Sequence, residues 1–137
     1  MIELFIPGDP PRATQQQHRI SINRGYPVVY DSENVKEARQ YFYVTLSRHR
    51  PKVPLDGPLE LTVHWRFQAK SHKPNEWKVS RPDIDNSMKL LQDCMTKMGF
   101  WKDDSQIAHL DVYKYWSKTP GLYISIRELN KYREEIP

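Results

Sequence analysis

The chain has 137 residues, 38% of them hydrophobic, with four Trp, eight Tyr and a formal net charge of +4, which fits one folded core and excludes a disordered chain. Its lone cysteine, Cys94, excludes an intrachain disulfide and fits a reducing, cytoplasmic setting. The opening "MIELFIPGDP" has neither the basic start nor the apolar run of a signal peptide, and no apolar stretch reaches membrane-spanning length, so a soluble protein with no membrane partner is expected.

Ile2, Leu4 and Ile6 alternate with Glu3 and Phe5, which predicts an N-terminal strand. Residues 8–25 carry Pro, Gly, Gln and Arg without periodicity and read as a long loop. That loop holds Arg12, Arg19 and Arg24, and no acid stands between Pro10 and Tyr30. Residues 26–30 read as a short strand, which Pro27 confines to a sheet edge. Asp31 or Ser32 then caps a helix whose apolar Val35, Ala38, Phe42 and Leu46 fall three and four apart. It should end near a second cation cluster, residues 48–52, which suits the helix dipole.

Residues 59–67 give the clearest strand, with Leu59, Leu61, Val63, Trp65 and Phe67 on one side and Glu60, Thr62, His64 and Arg66 on the other. A third basic stretch, "KSHKPNEWKVSR", supplies Lys70, Lys73, Lys78 and Arg81, with Trp77 either anchoring the loop or stacking on an unpaired base. A second helix carries Ile84, Met88, Leu91, Met95 and Met98 and stops at Gly99. Its methionine stripe reads as core or as a dimer seam. Residues 108–116 and 121–126 flank a short "SKTP" turn and read as a terminal hairpin. The whole is expected to be one α+β domain over residues 1–137, a single mixed sheet of about five strands with two main helices on a face. A solvated face is the ordinary fate of scattered cations, but three clusters around an acidic centre favour a polyanion partner.

That centre is "RPDIDNSMKLLQDCMTKMGFWKDDSQI", residues 81–107, which gathers five aspartates. Pro82 holds the chain extended, so Asp83 stands outside the helix and points to the same side as Asp85. Lys89 lies one turn beyond Asp85, and Asp93 one turn further, in reach of pairing with Lys89. Asp103 and Asp104 follow the helix. Since 15 residues of helix span about 22 Å, Asp104 rejoins Asp83 only if the chain returns antiparallel, which is a hypothesis about topology. Two readings stand: ordinary caps and turn residues, or one cation site. Oxygen ligands without Cys or His neighbours would select Mg²⁺, with Mn²⁺ substituting, over zinc. His64 and His109 are more simply polar-face residues than members of such a site.

The order of these residues resembles the RusA family of Holliday junction resolvases. Asp83, Asp85, Asn86 and Lys89, followed by Trp101, Asp103, Asp104, Gln106 and Ile107, stand in register with that family's two blocks, over roughly a quarter of the chain. The resemblance implies a homodimeric, Mg²⁺-dependent endonuclease, common in phages and prophages, that cuts opposing strands of a four-way DNA junction in recombination and repair. It implies Asp83, Asp85 and Asp104 as catalytic metal ligands, Lys89 as a supporting catalytic cation, and Asp103, Asn86 and Gln106 as accessories. Arg12, Arg19, Arg24, Lys70, Lys73, Lys78 and Arg81 are the expected DNA-binding cations. A nuclease for flaps or other branched DNA, or a junction-binding module without catalysis, are the alternatives.

Overall fold

The computed structural model describes residues 1–13, 18–23, 25–31 and 33–134, with 18–23 and 26–31 given by their backbone alone. In chain order the elements are β1 (Ile2–Pro7), β2 (His18–Asn23), β3 (Tyr26–Asp31), α1 (Glu33–Leu46), β4 (Leu59–Gln68), α2 (Ile84–Met98), β5 (Ile107–Ser117) and β6 (Gly121–Glu128). Four strands form one mixed sheet in the order β1-β6-β4-β5. The expected five-stranded sheet is therefore corrected to four strands, with β2 and β3 paired separately as an antiparallel two-stranded piece. Residues 18–23, read as loop, are strand β2.

β4 is the centre of the sheet because its alternation is complete: Leu59, Leu61, Val63, Trp65 and Phe67 are each no more than 2% exposed. Both helices lie on that side. Val35, Ala38, Phe42 and Leu46 of α1 are buried, and the Trp65 ring meets Phe42 edge-on while its indole N–H donates to Met88 Sδ at 3.4 Å. Met88 and Met95 are 2% and 0% exposed, so the middle of this stripe is core, while Ile84 at its start is 37% exposed. The polar side of β4 is covered by no helix among the described residues. It carries a row of rings, Phe5, Tyr123, His64 and Tyr113, one from each strand.

The terminal hairpin is a second correction. β5 pairs parallel with β4, and β6 pairs antiparallel with β4 and β1, so β4 lies between the two. The reason is α2. It carries the chain from the end of β4 back to the start of β5, and such a crossover lays the following strand parallel beside the first. Residues 118–120 then step across the end of β4 instead of reversing beside β5. Gly99 ends α2 at φ 85°, its N–H reaching Thr96 O and that of Phe100 reaching Met95 O, a left-handed stop that glycine adopts without strain. No helix among the described residues is long and apolar enough to cross a membrane.

Candidate active site

The fold sorts the five aspartates by what each carboxylate touches. Asp83 occupies the N-cap of α2 with an extended backbone (φ −74°, ψ 141°), and Asp85 sits in the first turn. A capping aspartate turns its oxygens onto the helix's first free N–H groups. Asp83 makes no such bond, and both acids are exposed. Asp93, by contrast, accepts from Arg39 Nη1 at 2.6 Å and faces Lys97 Nζ at 3.3 Å. Burial alone would raise its pKa, but the hydrogen bonds and charges of those two cations hold it below the ordinary value. Arg39 and Lys97 thus take the place expected of Lys89, which is exposed.

Asp103 is a cap. Its carboxylate accepts from Ser105 N while Gln106 Oε1 accepts from the Asp103 and Lys102 N–H groups, a reciprocal capping box. The backbone bond from Ser105 leads in holding the Asp103 pKa down. Gln106 Nε2 donates to Leu55 O and Gly57 O, each at 3.0 Å, so it ties the start of β5 to the approach of β4. Asp104 is exposed. Desolvation first, then a hydrogen bond and charge from Asp103 and the charge of Asp93, raise its pKa. Asn86, next to Asp85 in the first turn of α2, is buried at 9% exposure.

Within one chain the acids form two groups. Asp83 and Asp85 lie at the N-terminal end of α2, level with the far ends of β4 and β5. Asp104 lies past its C-terminal end, where β5 begins. The 15-residue helix between them spans about 22 Å. The chain does return antiparallel, as β5, but only after Asp104 has been left at the bottom. Among the described residues no three His, Cys, Asp or Glu side chains are grouped to hold a metal ion.

Cations gather at the Asp83 end. Lys70, Lys73 and Arg81 are exposed in the segment joining β4 to α2. Arg12 reaches that end too, pairing with Asp9 at 3.2 Å and lying 4.9 Å from the centre of the Phe67 ring, while Asp9 Oδ1 accepts from Gln68 N. Lys78 does not join them. It is 4% exposed, its ammonium 4.3 Å from the Trp116 ring centre and 2.6 Å from Ser80 Oγ, so it holds the loop. Burial, then the charges of Arg12 and Lys114, lower its pKa. Trp77 is 64% exposed and meets Tyr115 edge-on. The Arg19 side chain and all of Arg24 lie outside the described residues. His64 and His109 face the helix-free side, bonded to Tyr115 and to Glu60 and Asp111, away from the acids.

Lys114 is the neighbour that the sequence reading missed. Its ammonium donates to Ser80 O and Pro82 O, both at 2.7 Å, immediately before Asp83. Burial lowers its pKa and the Asp83 charge pushes it back up. A signal existed: Leu110, Val112, Lys114 and Trp116 share a strand face, and a lysine among apolar residues there needs a partner.

A model of the endodeoxyribonuclease RusA family matches residues 7–127. A crossover junction endodeoxyribonuclease rusA of Lactococcus phage r1t is 36% identical over 119 residues, covering 85% of this chain and 89% of its own. The uncharacterized protein YqaN of Bacillus subtilis strain 168 is 30% identical over 141 residues, 94% and 97% of the two chains. Crossover junction endodeoxyribonuclease RusA of Escherichia coli K12 is 32% identical over 94 residues, 69% and 74% of the two.

Proposed function

The chain belongs to the RusA family of endodeoxyribonucleases, and from that membership we propose a divalent-metal-dependent nuclease that cuts four-way DNA junctions as a homodimer, in cytoplasmic recombination and repair. One observation carries the assignment of residues. Asp93 and Asp103 are occupied as an ion-pair partner and a cap, whereas Asp83 and Asp85 make neither kind of bond among the described residues, and Asp104 only touches its neighbour Asp103.

The donor chemistry fits a hard cation, because the side-chain groups that Asp83, Asp85 and Asp104 offer are carboxylate oxygens. The separation of the two groups supports a site shared between copies, in which Asp83 and Asp85 of one chain meet Asp104 of the second. Such an arrangement requires the dimer and gives two sites related by a twofold axis, matching the approximate twofold symmetry of a four-way junction. When bound, Mg²⁺ or Mn²⁺ supplies charge to a phosphoryl oxygen and acidifies a water.

The chain's own residues do the rest. Asp83 and Asp85 present oxygens at the positive end of α2, where the helix dipole also favours a phosphate. Lys89, one turn on, can stabilise charge that develops on the phosphoryl group. Arg12, Lys70, Lys73 and Arg81 hold DNA backbone at this end, positioning it without reading bases. The test is cleavage of four-way, three-way, flap and linear DNA, each with Mg²⁺ and with chelator. Metal-dependent cutting concentrated on the four-way substrate is expected. Equal cutting of flaps would move the substrate to branched DNA in general, and no cutting with metal would leave a binding module.

A further inference from the structure

Asp83 follows a stretch, residues 78–82, that belongs to no helix or strand of the main sheet. A metal-binding carboxylate needs a fixed backbone beneath it, because Mg²⁺ demands near-ideal octahedral geometry. One residue of β5 grips this stretch at both ends. The Lys114 carbonyl accepts from Lys78 N at 3.1 Å, and the Lys114 ammonium donates to Ser80 O and Pro82 O at 2.7 Å each. The Pro82 carbonyl belongs to the peptide plane that enters Asp83, so its hydrogen bond fixes the direction from which the Asp83 side chain leaves. We propose that Lys114 is the positioning residue of the acid centre, holding Asp83 in metal-binding orientation through the Pro82 and Ser80 carbonyls. This rests on Asp83 being a metal ligand.

A purely structural explanation asks less of the residue. Packing on the helix side of β5 calls for an apolar chain, as at Val112 and Trp116, and lysine there keeps a charge partly out of water. An ammonium has three donors; the two carbonyls take two, and the acid whose charge acts on it is Asp83. Through the Ser80 and Pro82 carbonyls Lys114 supports a ligand from behind, and loss of such a supporting group typically weakens metal affinity or activity about 10- to 100-fold.

The experiment titrates Mg²⁺ in junction cleavage by full-length Lys114→Met and Lys114→Arg, with thermal melting and metal-free junction binding measured alongside. The Met variant should need about tenfold more Mg²⁺ or more for half-maximal rate, with metal-free DNA binding unchanged, and Arg should recover most of the loss. Should the Met variant melt below the assay temperature, its titration is run below its own melting point beside wild type. A wild-type Mg²⁺ dependence in the folded Met variant overturns the proposal, as does a loss that Arg fails to recover. Asp83→Asn separates the two levels. If it still cleaves, the acid-site reading falls; if it is inactive while Lys114→Met titrates normally, only the positioning role falls.

Discussion

Replacing Asp93 by Ala should lower stability and leave cleavage close to wild type, the reverse of what Asp83→Asn should do on the same helix. The Asp93 carboxylate meets Arg39 at 2.6 Å, with side chains 33% and 15% exposed, and Lys97 at 3.3 Å, with Lys97 59% exposed. A hydrogen bond to a charged group contributes about 1.5–3 kcal/mol, and the exposed Lys97 pair adds little. The better helix propensity of Ala offsets roughly 0.5 kcal/mol. The net loss is therefore about 1–2.5 kcal/mol. For 137 residues, at about 2.1 cal/mol/K of unfolding entropy per residue, that lowers Tm by about 3.5–9 °C. The folded pKa of Asp93 lies below its ordinary 3.8, so the contribution is present above that value and fades as pH falls through the folded pKa. The Tm gap between wild type and Asp93→Ala should accordingly close on acidification below pH ~4. Melting curves across pH and cleavage assayed well below Tm check both halves. A variant with unchanged Tm and lost cleavage would refute the sorting of the acids.

Asp83→Asn, Asp85→Asn and Asp104→Asn should each abolish cleavage while junction binding and melting stay near wild type, since among the described residues none of the three carboxylates bonds a helix N-terminus or forms an ion pair; wild-type rates in all three would remove the metal site. Lys89→Met should reduce the single-turnover rate about a hundredfold at saturating metal and DNA, and a wild-type rate there would make Lys89 a mere counter-ion. Lys70→Ala with Lys73→Ala should weaken junction binding and flatten its salt dependence by roughly one unit of slope per lost phosphate contact; an unchanged slope would put the DNA elsewhere. Gly121→Ala would set a methyl 2.2 Å from the Phe5 ring and 2.7 Å from Ile6 O. The ring can turn but the β1 backbone cannot, so a loss of about 1–3 kcal/mol is expected, and a wild-type melting curve would contradict the close β1–β6 approach.

Strong local periodicity was enough to find β4, α1 and α2, because each element's apolar face follows its own repeat through to burial: Phe67 and Leu91 are both fully enclosed. Neighbour relations were not legible. Nothing in residues 108–126 says that β4 comes between the strands on either side of "SKTP", since pairing partners are chosen by where α2 returns the chain. Residues 18–23 did carry a short signal, Ile20 and Ile22 alternating with Arg19, Ser21 and Asn23, but the run sits among Pro, Gln and Gly, and β2 pairs with β3 outside the main sheet. At the site, residue types identified the acids but not their duties. Asp83 at an N-cap and Asp103 at an N-cap read alike in sequence, and only the hydrogen bonds separate them. Lys78 looked like its neighbours Lys73 and Arg81 because a charge in a loop reads as exposed, whereas Phe67 and Trp116 provide rings that enclose it.

The shared site is tested most directly by mixing two inactive proteins. Asp83→Asn and Asp104→Asn are denatured together, refolded at equal concentration and given a labelled four-way junction with Mg²⁺. If Asp83 of one chain works with Asp104 of the other, each mixed dimer has one doubly damaged site and one intact site. About half the dimers would be mixed, so roughly a quarter of wild-type sites return and single nicks appear. Neither protein refolded alone should nick. If the mixture stays as inactive as its components while mixed dimers are demonstrably present, Asp83 and Asp104 do not meet across two chains and the account of the active site is wrong.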